Sequence, residues 1–138
     1  IAIYAMEQAG VLELIGEGIE PIIGMGDIFG GGLLLVSSAV ASSVTDNIPL
    51  AAVLANILNS MNIANDSGMW WSVIFGANLG GNLTPIGSAS TLVAVTIMHK
   101  HDLKISFMGF VKKALPFAIL HIILATAYVL FVLKHLPG

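Results

Sequence analysis

Long apolar blocks separated by short polar segments set the pattern of this chain. Residues 28–45 carry no acid or base over 18 positions, Asp46 interrupts, and residues 47–65 are again free of charge for 19. At ~1.5 Å rise per residue, two full crossings of a ~30 Å hydrocarbon layer fit here only with a tight polar turn between them. That turn, Ser42-Ser43-Val44-Thr45-Asp46-Asn47-Ile48-Pro49, lies between the apolar arms, and the second arm weakens at Asn56 and Asn59. The pattern predicts a re-entrant helical hairpin over residues 28–61, its polar tip at membrane depth. Non-helical backbone is tolerated there only where it is buried in protein or lines a cavity.

Residues 69–98 form a second apolar block of 30 positions without an acid or base. One straight helix would run ~45 Å, well beyond the hydrocarbon thickness. The block contains its own break, Gly80-Gly81-Asn82-Leu83-Thr84-Pro85-Ile86-Gly87. Proline removes an N–H and clashes with the preceding turn, and glycine weakens a helix. Two half-helices around an unwound middle are therefore predicted. Residues 99–113 read as a polar loop and residues 114–134 as a final crossing. Upstream, residues 1–9 read as the end of an apolar helix. Residues 10–27 read as an amphipathic interfacial stretch with Glu13, Glu17 and Glu20, punctuated by Pro21 and Gly24-Met25-Gly26-Asp27. Asn59 to Gly68 is a polar loop, followed by Trp70-Trp71 as interfacial anchors.

Composition turns this pattern into a fold class. Charged residues make up 9% of the chain and hydrophobic ones 57%, with a mean hydropathy of +0.94. A soluble domain carries about 25% charged residues, so the surroundings of this chain must be mostly lipid. The expected class is all-α integral membrane protein. All 5 cations are lysines, four of them between Lys100 and Lys113. The positive-inside rule places that loop in the cytoplasm and the C-terminus, Trp70-Trp71 and the mouth of the hairpin outside. No basic patch suits nucleic acid. The absence of cysteine excludes disulfides, thiolate metal sites and cysteine nucleophiles. The chain opens Ile1-Ala2-Ile3-Tyr4, with neither methionine nor a basic leader, so a piece of a longer protein is expected.

The chemistry concentrates in the two breaks. Broken helices present free carbonyls at one end, suited to sodium, and free N–H groups at the other, suited to anions. Paired breaks of this kind point to a transporter site. The candidate substrate- and ion-binding residues are Ser43, Thr45, Asp46 and Asn47 in the first break and Asn82, Thr84, Pro85, Gly87 and Ser88 in the second. Asp46, Asn47 and Thr84 are the candidate sodium ligands; no other cofactor is expected. Asp46 is the acid between the two apolar arms, and an ionisable group at that depth is a functional hypothesis by default. Its simpler alternative is a cap on the helix that starts at Ile48 or Pro49. Likewise, the glycines could serve packing alone, as Gly76-xxx-Gly80 and Gly26-xxx-Gly30 would. A structural membrane subunit without a transport site is thus the bland reading.

His121 in the last span reads as a packed neutral histidine in preference to a proton relay. The run Gly30-Gly31-Gly32 lacks a following Lys-Ser/Thr and is not a phosphate loop, so close packing or a hinge is expected. Gly24-Met25-Gly26-Asp27 resembles the Gly-x-Gly-Asp signature of intramembrane aspartyl proteases. The Tyr-Asp pair and Pro-Ala-Leu segment of those enzymes are missing: Tyr4 precedes Ala5, and the chain reads Ala114-Leu115-Pro116.

Three further segments carry a broader resemblance: Ala5-Met6-Glu7-Gln8-Ala9-Gly10-Val11-Leu12, then Thr45-Asp46-Asn47-Ile48-Pro49, then Gly76-Ala77-Asn78-Leu79-Gly80-Gly81-Asn82-Leu83-Thr84-Pro85-Ile86-Gly87-Ser88. They resemble the arsenite permease and sodium/proton antiporter group of the ion transporter superfamily, with the melanosomal P-protein and citrate-permease-like proteins. Ile105-Ser106-Phe107 before the final helix also fits. The resemblance implies a secondary transporter of inorganic ions in the cell (inner) membrane, multi-pass and often dimeric. It also implies two inverted repeats whose hairpin tips and broken helices meet at the midplane. This chain would be the C-terminal repeat and would need the missing N-terminal repeat to complete the site. In the dicarboxylate branch the tip reads Ser-Asn-Thr; here it reads Thr45-Asp46-Asn47. The added negative charge disfavours a dicarboxylate and favours a cation or a neutral oxyacid such as arsenite.

Overall fold

Three serines set helix starts in the second half of the chain. The side chains of Ser67, Ser88 and Ser106 accept hydrogen bonds from the backbone N–H of Met69 (3.3 Å), Thr91 (3.3 Å) and Gly109 (3.0 Å). Each satisfies a donor that a helix N-terminus otherwise leaves open. The computed structural model describes residues 10–132, without the side chains of residues 11–13, 15, 16 and 27. The expected helix end at 1–9 and the last residues of the final crossing lie outside the described residues.

All secondary structure among the described residues is helical. In order the helices are α1 (Val11–Ile23), α2 (Asp27–Ser42), α3 (Asn47–Ser60), α4 (Gly68–Gly80), α5 (Ala89–Lys100) and α6 (Phe107–Ala127), the last continued by a π-helical turn, Tyr128–Val132. The segment Phe107–Val132, 26 residues long, is the one helix among those described that is long and apolar enough to cross a membrane. The 16 residues of α2 reach about 24 Å and the 12 of α5 about 18 Å. Neither spans ~30 Å of hydrocarbon alone.

Boundaries depart from the sequence expectation in both halves of the chain, and α5 already runs through His99 and Lys100 of the expected loop. Pro21 does not end α1, which continues to Ile23. Proline there sits in the last turn, and the chain breaks only at Gly24 to Gly26, where Gly26 takes φ 103. Lys112 and Lys113, expected in a loop, lie in the second turn of α6. The Ser106 cap starts the helix well before the apolar run does, and lysine is a good helix former whose long stem lets its charge reach water.

One apolar core joins the first four helices: Ile19 and Ile23 of α1, Leu34 of α2, Leu50, Leu54 and Leu58 of α3, and Met69 and Val73 of α4. A smaller cluster of Leu35, Ala125 and Val129, flanked by Phe75, Leu79 and Ile122, docks α6 onto α2 and α4. Trp71 stacks on Phe75, and Phe75 meets Tyr128 edge-on, both at 5.9 Å between ring centres. The outer face of α6 remains apolar and open; Phe117, for example, is 66% exposed. Water would disfavour such a face, and lipid suits it. His121 is exposed on α6, so the described part of this chain does not pack it as expected.

The most intimate packing is between α2 and α4. A Cβ added at Gly76 would lie 2.5 Å from the Leu35 carbonyl oxygen and 2.7 Å from Ser38 Cβ, and one added at Gly80 would overlap the Ala39 backbone. The packing role of Gly76-xxx-Gly80 is therefore real. Gly30 is similarly pressed, with the Ile22 carbonyl 2.9 Å from its would-be Cβ, whereas Gly26 meets nothing and serves the turn. Gly30-Gly31-Gly32 lies inside continuous α2, so the run is not a hinge, and of its three glycines Gly30 is the one that packing requires.

Candidate ion-binding site

The polar breaks arise where α2 gives way to α3 (residues 43–46) and where α4 gives way to α5 (residues 81–88). They touch. The Thr84 hydroxyl donates to the backbone carbonyl of Ser43, which is the C-cap of α2. The Ser42 hydroxyl donates to the Ala77 carbonyl one turn deeper. Gly87 closes the junction: a Cβ there would sit 2.8 Å from the Gly81 carbonyl oxygen and 3.1 Å from that of Ser43. Any larger residue at position 87 would push the two breaks apart. On the α3 side, Asn47 Nδ2 donates to Asn78 Oδ1 at 3.5 Å, and Asn78 Nδ2 donates to the Ile74 carbonyl at 2.7 Å.

The candidate residues divide into a buried strut and an open rim. Ser43, Thr84, Pro85 and Gly87 are buried. The Ser43 and Thr45 hydroxyls donate back to their own helix, to the carbonyls of Val40 (2.6 Å) and Ala41 (2.7 Å). Thr84 has given its proton to Ser43, so its lone pairs alone remain for an ion. Ser88 is half-buried and its hydroxyl caps α5. The rim consists of Asn47, half-buried, with Asp46 and Asn82, both exposed. Asp46 occupies the N-cap position of α3 with extended backbone (φ −63, ψ 137), yet its side chain makes no capping hydrogen bond. The carboxylate at the tip is thus not used as a cap.

Helix ends supply the remaining polarity. The first N–H groups of α3 at Asn47 and Ile48, and of α5 at Ala89 and Ser90, have no intrahelical acceptor. Pro49 removes one further donor from the α3 tip. No group of three or more His, Cys, Asp or Glu side chains able to hold a metal occurs among the described residues. A hard cation here would be met by hydroxyl, amide and carbonyl oxygens, with Asp46 as the charged partner.

Three participants escaped the sequence reading. Ser42 and Asn78 make cross-helix bonds, and Ser38 Oγ is buried at the α2–α4 contact without a hydrogen-bond partner. Ser38 and Ser42 stand four residues apart on α2, the spacing that Gly76 and Gly80 have on α4, and that matched spacing was the available signal. Asn78 stands out as a polar residue in the apolar run of α4, but its partner Asn47 is not legible from that run.

Thr84→Val is expected to keep the shape and remove the donor. It would leave a buried Ser43 carbonyl unpaired at a cost of about 1–3 kcal/mol. Thermal unfolding of the purified full-length protein reads the loss, and Thr84→Ser should restore most of it. Equal stability of Thr84→Val and the parent would remove the strut.

The family model of the arsenical pump membrane protein, ArsB, matches residues 1–133. The chain belongs to that family. It is 29% identical, over 94% of its length, to an uncharacterized transporter of Synechocystis sp., covering 33% of that protein. It is 30% identical over 98% of its length to an uncharacterized transporter of Mycobacterium tuberculosis, again covering 33%, and 29% identical over 94% to the P protein of Mus musculus, covering 17%. The ArsB-family chain therefore spans about a third of the length of the bacterial transporters it matches. No solved structure matches it. The resemblance to the ion transporter superfamily holds, since both the family model and the P protein belong to the group that the sequence segments resemble. The protease-like Gly24-Met25-Gly26-Asp27 is the turn into α2, with Asp27 as its first helical residue.

Proposed function

We propose that the whole protein is a secondary active transporter of inorganic ions, working by sodium/proton antiport or by efflux of arsenite or a small anion. This chain contributes one half of a site at the bilayer midplane. The observation that carries the reading is the Thr84–Ser43 hydrogen bond, which ties the hairpin tip to the helix break. Four helices too short to cross alone, ending in pairs at this junction, fit a re-entrant hairpin and a broken helix. The names of the family and its relatives agree with transport. Asp46, Asn47 and Asn82 on the open rim face the missing repeat in this reading, and sodium is the cation their oxygens suit. The charge on Asp46 favours a cation or the neutral arsenous acid over a dicarboxylate. A homodimer in the inner membrane is part of the same proposal.

Transport decides it. Full-length protein in proteoliposomes is expected to move sodium, protons or arsenite down an imposed gradient of a coupling ion. Failure with all three gradients, in protein shown to be folded, would refute the reading. Orientation has its own test. With the Lys100 to Lys113 segment cytoplasmic, a cysteine placed at Lys104 should resist an impermeant external thiol reagent in intact cells. One placed at Asn65 should react. The reverse pattern would invert the topology.

A further inference from the structure

We propose that the α5–α6 turn is a binding site for the phosphate headgroup of an anionic phospholipid. Charge is segregated sharply in this chain. Residues 99–113 hold four lysines and one acid, Asp102, for a net of +3, while the remaining residues hold one lysine and seven acids, for −6; together they give the overall −3. The basic segment sits where the membrane-crossing helix Phe107–Val132 begins. Its exposed apolar neighbours are Leu103, Phe107 and Met108. Exposed lysines beside exposed apolar side chains, at the mouth of a spanning helix, match the level where headgroup phosphates lie.

The turn also forms a hollow beside that charge. An open cavity of about 570 Å³ is lined by His99, Lys104, Ile105 and Ser106. His99 Nε2 lies 3.3 Å from the Ile105 carbonyl, which can only accept, so the imidazole donates and pins one wall. The backbone N–H of Leu103 donates to the Met98 carbonyl at 2.9 Å and holds the turn against the end of α5. Ser106 Oγ accepts from the Gly109 N–H and keeps its own proton to donate. Lys104 and the Ser106 hydroxyl thus offer a phosphate oxygen a charge and a hydrogen bond from the same hollow. The acyl chains would lie along the exposed apolar face of α6. A free phosphate ion shares the headgroup chemistry but gains nothing from that face, so the lipid is the favoured occupant.

The inference rests on membrane residence, not on the transported ion. The test is native mass spectrometry of the full-length protein in neutral detergent, titrated separately with dioleoylphosphatidylglycerol, dioleoylphosphatidylcholine and inorganic phosphate. Phosphatidylglycerol is expected to bind saturably and more tightly than phosphatidylcholine, and more weakly as salt rises. Lys104→Gln should lower that affinity about fivefold and Lys104→Gln with Lys100→Gln about twenty-fivefold, while Lys104→Arg should bind as the parent does. Circular dichroism checks that each variant is folded, and Lys100→Gln alone carries the test should Lys104→Gln misfold. Equal binding of the two lipids, parent-like binding by the glutamine variants, or displacement of the lipid by equimolar inorganic phosphate would each overturn the proposal. None of these readouts involves transport, so this result and the transport assay fail independently.

Discussion

Gly80→Ala is expected to be the most damaging single-methyl change in the chain. A Cβ at position 80 would overlap the Ala39 backbone on α2, and no side chain can move aside to relieve the clash. Overpacking typically costs about 1–3 kcal/mol where rotamers can adjust. With backbone on both sides the helices must separate, and the expected loss exceeds about 3 kcal/mol. Separation would also pull Ser42 from the Ala77 carbonyl and Thr84 from Ser43, so the junction of the two breaks would open. Gly31→Ala is the matched control. Its would-be Cβ meets Ser72 Oγ at 3.6 Å and a Leu130 methyl at 3.7 Å, which is ordinary contact. Alanine is the better helix former by about 1 kcal/mol, so Gly31→Ala should be neutral or slightly stabilising. Thermal unfolding of both variants in the full-length protein, with yield from the membrane fraction, checks the contrast. Similar midpoints for the two would mean that α2 and α4 do not pack as closely as described.

The contrast shows where sequence reading works and where it stops. The two breaks were legible because lipid allows few ways to place Thr45-Asp46-Asn47 or Asn82-Leu83-Thr84-Pro85 between apolar runs. The glycine spacing at Gly76 and Gly80 was legible as a packing motif, but its partner helix was not. Which carbonyl a glycine approaches depends on a crossing angle that one helix's pattern does not contain. For the same reason Thr84 read as an ion ligand, while its hydroxyl is bound to Ser43 in the folded chain. Asn78 went unselected because its role is visible only once α3 delivers Asn47 to it. The start of α6 was misplaced by seven residues because hydropathy locates the apolar run, whereas the helix begins at the Ser106 cap.

Asp46→Asn should abolish ion-coupled transport while leaving folding nearly unchanged. The substitution keeps size and hydrogen-bonding capacity and removes one negative charge. In the folded chain the Asp46 side chain is exposed and makes no capping bond, so no described contact is lost. In the proposed reading the carboxylate lies at membrane depth, where it is costly unless used, and the described residues give it no capping bond. On that proposal its use comes from a proton, a cation or the other repeat. Sodium- or proton-driven flux in proteoliposomes is expected to fall at least about a hundredfold, as loss of roughly 3 kcal/mol of charge interaction would produce, with the thermal midpoint within a degree or two of the parent. Thr84→Val should behave oppositely, losing stability first and flux in proportion. The pair therefore separates an ion-handling residue from a strut that aligns the two breaks. Parent-like flux from Asp46→Asn, with unchanged sodium and pH dependence, would move the coupling to Asn47 and Asn82 on the rim. The ion would then be held by neutral oxygens alone, and the charge argument against an anionic substrate would lapse with it.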